Sequence, residues 1–403
     1  MSKYFARREF LRQGSIGAAA LLAGSSRVAT AGPAKVISLA GNPGGTACPD
    51  SASVRIKSAS LGKPIRYPES HGDTWTATWA DDDNIYATSD DTQGFDKGAN
   101  SNLAINRITG NMPPDIHGVT VNPMKEYGGW GEVRKDDGAM WKACGLASVD
   151  GVLYMSVSRN MNPDYAPWIQ QTWDATIIKS SDHGKTWSTA PPLNHSMFPG
   201  RVFSTPFFVD YGKDGRGTKD GSDRYVYATS NDGAWNNGNW MTLGRVRRDL
   251  LPRLDPRDWE FVHGYDGKGG VVWQPRWESA VATFYNPGRT SMAPINYIAP
   301  LDVYILSQWY YTRLDDPARR WKATRFEFYH APAPWGPWTL FHAQDFEPEG
   351  WYNPSIPSKY ISADGKSMWT FVAGDWTDAE TTHGLYGLWM MPLQLEVEHV
   401  SKP

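Results

Sequence analysis

The chain has 403 residues, of which 40% are hydrophobic and 21% charged, and its formal net charge is −3 with neither sign gathered into a long block. That balance argues against a polyanion-binding surface or a nucleic-acid partner. The 20 Trp, 19 Tyr, 39 Gly and 29 Pro suit many short strands joined by turns and fit long helices badly, while 2 Cys cannot build a structural zinc site alone.

At the N-terminus, Arg7 and Arg8 followed by Glu9, Phe10 and Leu11 precede a short apolar run from Ile16 to Leu22, and Ala29, Thr30 and Ala31 form a small-residue cleavage pattern before Gly32. This order predicts a twin-arginine export signal over 1–31, a periplasmic or extracellular mature protein, and no stable membrane association after cleavage. Residues 32–50 are rich in Gly, Ala and Pro and read as a spacer, which leaves 51–403 as one catalytic domain. Cys48 and Cys144 could pair in an oxidising compartment.

After the spacer, Val54 to Leu61 alternates apolar and polar residues, as an outer strand does when it closes a ring against the last sheet. A unit then recurs about five times: an apolar strand, a tight turn rich in Asp, Asn or Gly, and a strand rich in Tyr and Trp. The first unit opens at Asp73-Thr74-Trp75, turns at Asp81 to Asn84, returns through Ile85-Tyr86-Ala87 and has its outer half at Asn102 to Ile108. The second uses Trp141 to Val149, a turn at Asp150-Gly151, Val152 to Ser158, and Ala175 to Lys179. The third spans Phe203 to Tyr211, Tyr225 to Ser230 and Trp240 to Val246; the fourth spans Ala293 to Tyr297, Val303 to Trp309 and Thr324 to Tyr329. The fifth pairs Ser358 to Ser362 with Met368 to Gly374 and finishes at Tyr386 to Leu393. The pattern predicts an all-β chain, a five-bladed β-propeller of four-stranded antiparallel blades. Stretches 92–135 and 212–223 read as loops that decide whether one end of a groove is blocked.

Ser180, Asp182, Gly184 and Trp187 in the run SSDHGKTW match the Asp-box of sialidase-like propellers, S-x-D-x-G-x-T-W. Physically this is a hairpin turn: Asp caps turn amides, Gly takes a positive φ, and Trp packs between sheets. It marks a fold and carries no catalysis. Trp335-Gly336-Pro337-Trp338 resembles the W-G-P-W turns of five-bladed furanosidases. The runs GDTWTATWADDDNIYATSDD, MWKACGLASVDGVLYMSVSRN, DPRDWEFVHG and NPSIPSKYISADGKSMW resemble an exported, glycosidase-like propeller family, most of whose members lack an assigned function, related to the propellers that degrade D-arabinan. The resemblance covers nearly the whole mature chain and implies a carbohydrate-active enzyme with its site at the central axis.

In such a ring the ends of the innermost strands meet, so carboxylates there are the natural candidates for glycoside hydrolysis, which needs one protonated and one ionised carboxyl flanking the bond. Asp73 is assigned as base or nucleophile and Asp232 as acid, with Asp91 positioning or tuning one of them and Glu278 as the substitute acid. Asp90 ends the same strand as Asp91, while Asp81 to Asp83, Asp150 and Asp364 read as turn caps. Substrate contacts are expected from the cations Lys142, Arg159, Arg289 and Lys359, from Asn160, Asn231 and Asn353, and from Trp309, Tyr310 and Asp375.

A second reading is a polysaccharide lyase in which His71 abstracts a proton from a uronate, Arg289 neutralises its carboxylate, and Tyr310 or Tyr297 acts as acid. A third is a non-catalytic glycan-binding propeller using the same aromatic and Asn residues. The expected partner is a polysaccharide or oligosaccharide, and the expected state a monomer. No cofactor motif occurs: there is no Rossmann glycine fingerprint, haem Cys pair, iron–sulfur spacing or H-x-x-x-H, and calcium at Asp90 or Asp91 has no supporting loop motif.

Overall fold

The computed structural model describes residues 54–132, 140–160, 168–189, 195–218, 224–378 and 384–399, with the side chain of Asn160 excepted. The export signal, the 32–50 spacer and Cys48 lie outside the described residues. Regular structure among the described residues is β throughout, interrupted by short 3-10 turns of three residues.

The chain begins with β1 (Val54–Leu61) and a short β2 (Ile65–Arg66). The first sheet follows, from β3 (Ser70–Asp73), β4 (Ala77–Trp79), β5 (Ile85–Phe95), β6 (Ser101–Met112) and β7 (Asp115–Asn122), with β3 and β4 both paired to β5. The second is β8 (Met140–Val149), β9 (Val152–Asn160) and β10 (Thr172–Ser180). The third is a ten-stranded sheet. Its first half comprises β11 (Phe207–Asp210), β12 (Tyr225–Asn231), β13 (Gly238–Arg247), β14 (Trp259–Tyr265), β15 (Val271–Gln274) and β16 (Phe284–Thr290). Its second half comprises β17 (Ile295–Ile298), β18 (Val303–Tyr311), β19 (Thr324–Ala331) and β20 (Thr339–Phe346). The last sheet holds β21 (Tyr352–Ser355), β22 (Ser367–Ala373) and β23 (Trp389–His399).

Neighbouring sheets touch in chain order. β4 and β5 lie against β8, β8 against β11, β18 against β21, and β22 returns to β3. Among the described residues, strand pairing links the two halves of the ten-stranded sheet through parallel β11 and β17, at Val209 opposite Ile295. As its alternation predicts, β1 lies outermost on the last sheet, antiparallel to β23 from Val54 opposite His399 to Leu61 opposite Leu393. Closing the last sheet with the first described strand converts two sequence-distant segments into one unit.

The apolar faces of these strands bury three clusters. Leu103, Ile105, Leu153 and Ile178 fill the space between the first two sheets; Phe198, Phe203, Trp259 and Phe261 lie between the second and third. Phe284, Ile295, Tyr329 and Trp338 join the two halves of the third. Each fully buried aromatic ring contributes on the order of 2–3 kcal/mol by leaving water, and the edge-to-face contact of Phe198 with Phe203 at 5.0 Å adds to this. Gly145 on β8 marks a close approach of the second and third sheets. A Cβ there would stand 2.7 Å from Phe207 Cα, Phe208 N and Pro206 O, and its own N–H donates to Pro206 O at 2.9 Å.

The SSDHGKTW turn is built as its chemistry predicts. Thr186 N donates to Asp182 Oδ1 at 2.9 Å, Gly184 takes φ 85°, and Trp187 packs on the cluster between the first and second sheets. Trp335 Nε1 donates to Gly269 O at 3.1 Å, so the W-G-P-W turn fastens the fourth unit to the outer edge of the third.

Three expectations are corrected. Residues 92–122 are mostly strand and not a loop, because β5 runs on to Phe95 and the β6–β7 hairpin occupies Ser101 to Asn122; 133–135 lie outside the described residues. Ser358 to Tyr360 is a 3-10 turn, not a strand: Pro357 sets φ −68° ahead of it, Tyr360 N donates to Pro357 O, and a single bridge between Ile361 and Met368 is all that remains of the expected pairing. The segment beginning at Gly212 does not wall the end where β8 starts. Asp214 accepts from Ser148 Oγ at 2.8 Å and Gly151 N at 3.0 Å, tying it to the far, hairpin-turn end of β8, and 219–223 lie outside the described residues.

Candidate active site

Asp73 and Asp90 stand directly opposite one another on antiparallel β3 and β5, so their side chains share one face. Asp90 is wholly buried and its Oδ1 accepts from Ala143 N at 3.0 Å. Burial pushes its carboxyl well up; nearby Lys142 opposes that rise and the charge of Asp73 adds to it. Burial thus favours the protonated form of Asp90. Next along the strand, Asp91 turns out through a left-handed φ of 43° and forms a 2.7 Å ion pair with Lys142, both side chains only 6% exposed. Lys142 comes from the start of β8, so this pair stitches two sheets together.

The hydroxyl of Tyr386 donates to the carbonyls of Asp90 and Asp91, at 3.3 and 3.2 Å. Its ring meets the edge of His71 at 5.1 Å, and Trp130 meets the same imidazole at 4.7 Å. His71 Nδ1 accepts from Gln93 N at 3.1 Å, which fixes the neutral ring as the Nε2–H tautomer and occupies the ring's basic nitrogen.

Asp73 is only partly buried and accepts from the Tyr352 hydroxyl at 2.6 Å and from Thr74 Oγ1 at 3.3 Å. Burial, with the Asp73 charge adding, drives the Tyr352 hydroxyl well up, so it stays a donor. From Tyr352 a scaffold of contacts runs to the other assigned carboxyl. The Tyr352 ring packs on Trp309 at 5.4 Å, and Trp309 packs on Tyr311 at 5.3 Å. Asn237 Nδ2 donates to Tyr311 O at 2.8 Å and to Gly288 O at 3.1 Å; Gly288 N donates to Asn239 Oδ1 at 3.3 Å; and Asn239 N and Nδ2 both donate to Asp232 Oδ2, at 3.0 and 2.9 Å. Asp232 Oδ1 is buried without a hydrogen bond, and desolvation raises this carboxyl despite the Asn239 donors.

Around this scaffold, Tyr311 also meets Trp321 at 5.0 Å and Trp321 meets Trp376 at 5.3 Å. Asp375, whose carboxyl burial also raises, accepts from Thr377 N and Oγ1 at 3.0 and 2.6 Å. Asn353, beside Tyr352, is 1% exposed in a left-handed φ of 51°, and neither amide atom has a hydrogen-bond partner.

Other sequence-assigned residues are placed elsewhere. Glu278 lies exposed on the turn after β15, where Trp277 packs on the cluster behind the sheets, so it is not a substitute acid beside Asp73. Asn231 is consumed internally, accepting from Thr205 Oγ1 and donating to Ala234 O. Trp309 is 1% exposed and donates to Met292 O at 3.2 Å, so it supports the site from below and offers no face to a sugar. Lys359 donates to Asp83 O at 2.5 Å, at the hairpin-turn end. Arg159 is paired with Asp174 at 2.7 Å. Arg289 lies over the ring of Tyr310 at 5.8 Å, while Tyr310 donates to Glu327 at 3.0 Å; these lie on β16 and β18 whereas His71 belongs to β3. Cys144 is a buried free thiol.

Sequence reasoning named Asp90 among the strand-end carboxylates without giving it a role, and passed over the hydrogen-bonding role of Tyr352, Tyr386, and Glu327. The available signal for Glu327 was a lone acid inside the apolar run Phe326 to Tyr329. Among the described residues, Asp81, Asp82 and His183 are the group whose ligand atoms could hold a metal ion, within 4.8 Å of one another at the hairpin-turn end.

No protein-family model matches the chain, and neither does any curated protein. Its fold is similar to the crystal structure of a hydrolase candidate from Bacteroides ovatus, with a TM-score of 0.51 and 12% identity over 81% of this chain and 87% of that one. Weaker likenesses include an endo-arabinase from Bacteroides thetaiotaomicron (TM-score 0.41, 10% identity, 85% and 98% covered) and a GH43_1 enzyme from Xanthomonas citri complexed with xylose (TM-score 0.43, 12% identity, 84% and 94% covered). At these identities the likeness to the first defines the class of fold, an all-β chain of successive sheets.

Proposed function

We propose that this protein is an exported glycoside hydrolase on a five-bladed β-propeller, cleaving a polysaccharide or oligosaccharide with Asp73 as base or nucleophile and Asp232 as acid. The cyclic contacts of successive sheets and the β1–β23 pairing support the ring, with the ten-stranded sheet counted as two blades. Export rests on the N-terminal arginine pair, apolar run and cleavage pattern; no helix among the described residues is long and apolar enough to cross a membrane.

The observation that carries the reading is the contrast between two carboxyls on one scaffold. Asp232 is desolvated, with an oxygen left without a donor, and is raised toward the protonated form a general acid needs. Asp73 is partly open and takes a short hydrogen bond from Tyr352, the setting of an ionised base or nucleophile. The Asp91–Lys142 pair and the buried Asp90 position the Asp73 strand from behind. A lectin has no need of two acids in contrasting environments.

Purified protein should release new reducing ends from one or more of a panel of neutral and uronate-containing polysaccharides, without the ultraviolet absorbance of an unsaturated uronate. Absorbance rising with the reducing ends would replace hydrolysis by β-elimination; glycan binding with neither signal would leave a lectin.

A further inference from the structure

Beside Asn239, the residue that holds Asp232, lies a cavity of about 680 Å³ lined by Gly288, Arg289, Tyr310, Tyr311 and three further arginines. Two of its cations are already satisfied. Arg319 grips Glu347 through two hydrogen bonds at 2.6 and 2.5 Å, and Arg325 reaches both Asp345 at 3.0 Å and Glu327 at 3.1 Å. The other two, Arg289 and Arg313, are exposed at the cavity; Arg313 lies near enough to Glu347 to lower its carboxyl, but that carboxylate's direct hydrogen bonds come from Arg319, and Arg289 lies over the Tyr310 ring.

The wall behind them is fixed. Glu327, only 4% exposed in the middle of β19, accepts from Tyr310 at 3.0 Å, from Tyr329 at 2.6 Å and from Asn286 at 3.2 Å, so the Tyr310 ring beneath Arg289 is held from behind. Gly288, adjacent to Arg289, donates to the Asn239 side chain that itself binds Asp232. A volume of this size accommodates a sugar ring. Four arginines against the two carboxylates Asp345 and Glu347 leave the cavity lining net positive, and the planar guanidinium fork matches a carboxylate through two parallel hydrogen bonds.

We infer that this cavity is a subsite for the carboxylate of a uronate residue, placed beside Asp232 by Gly288 and Asn239, so that the substrate is an acidic glycan. The inference rests on the carbohydrate reading above and adds the substrate class.

The test is calorimetric titration of the full chain with trigalacturonate, with neutral arabino-, xylo- and galacto-oligosaccharides of equal length, and with a sulfated trisaccharide. The acidic ligand should bind about tenfold tighter than the neutral ones and lose about tenfold in Arg289→Gln and in Arg313→Gln, with the neutral ligands losing less. Its affinity should fall as salt rises, and Arg289→Lys should recover part of it. Equal binding of neutral and acidic ligands, or acidic binding indifferent to both arginines, would overturn the subsite and leave the carbohydrate reading standing. Binding of no glycan would contradict both. A preference for the sulfated ligand would overturn the carboxylate assignment.

Discussion

The Tyr352 hydroxyl donates to Asp73 Oδ2 at 2.6 Å, and this contact joins the first strand of the last sheet to the first strand of the first. Removing one donor from a charged acceptor costs about 1.5–3 kcal/mol, or roughly ten- to a hundredfold in rate where the acceptor reacts. Tyr352→Phe should therefore lower kcat by about that factor with little change in KM, while the ring still packs on Trp309. Steady-state kinetics on the best glycan from the panel checks it; wild-type kcat would remove Tyr352 from the mechanism.

Lys142 and Asp91 form a buried pair whose loss on one side leaves an uncompensated charge. Lys142→Met should cost about 3–5 kcal/mol of folding stability, and Asp91→Asn combined with Lys142→Met should regain part of it. Denaturant unfolding at pH 7 reads both. With Asp91→Asn alone completing the cycle, a loss in the double variant equal to the sum of the two single losses would show that the pair is not energetically coupled.

At the hairpin-turn end, burial raises the Asp210 carboxyl to about 6, although Gly212 N donates to it at 2.7 Å. A carboxyl raised in the folded state binds its proton more tightly there than in the unfolded chain. Its stabilising contribution is complete below the unfolded value near 3.8 and is lost as pH rises through about 6. Between pH 4 and 7 the wild type should lose about 2 kcal/mol relative to Asp210→Asn. Parallel stability curves for the two proteins over that window would contradict the raised carboxyl.

Much of the strand order was legible because the signals are local. Alternation set β1, and Asp-rich turns set the hairpins at Asp81 to Asn84 and Asp150-Gly151. Pro357 and β7 misled the reading, because a proline-led turn with apolar residues resembles a short strand, and the half-exposed β7, entered through a Pro-Pro turn, resembles a loop. Asp73 was legible as a strand-end acid. The partners that define its chemistry were not: Tyr352 lies 279 residues away in the chain, and the role of Asp90 depends on cross-strand register. Glu278 and Asn231 failed for the opposite reason, since residue type and strand-end position say nothing about which face of a sheet or which internal amide a side chain meets.

The division of labour between Asp73 and Asp232 is tested most directly by leaving-group dependence. The measurement is kcat for wild type, Asp73→Asn and Asp232→Asn on the natural glycan and on an aryl glycoside of the same sugar whose leaving group needs no proton. Asp232→Asn should lose roughly 10²–10⁴-fold on the glycan and recover most of that loss on the aryl glycoside, whereas Asp73→Asn should stay impaired on both. Equal impairment of Asp232→Asn on the two substrates, or wild-type turnover by either variant, would contradict the carboxyl pair.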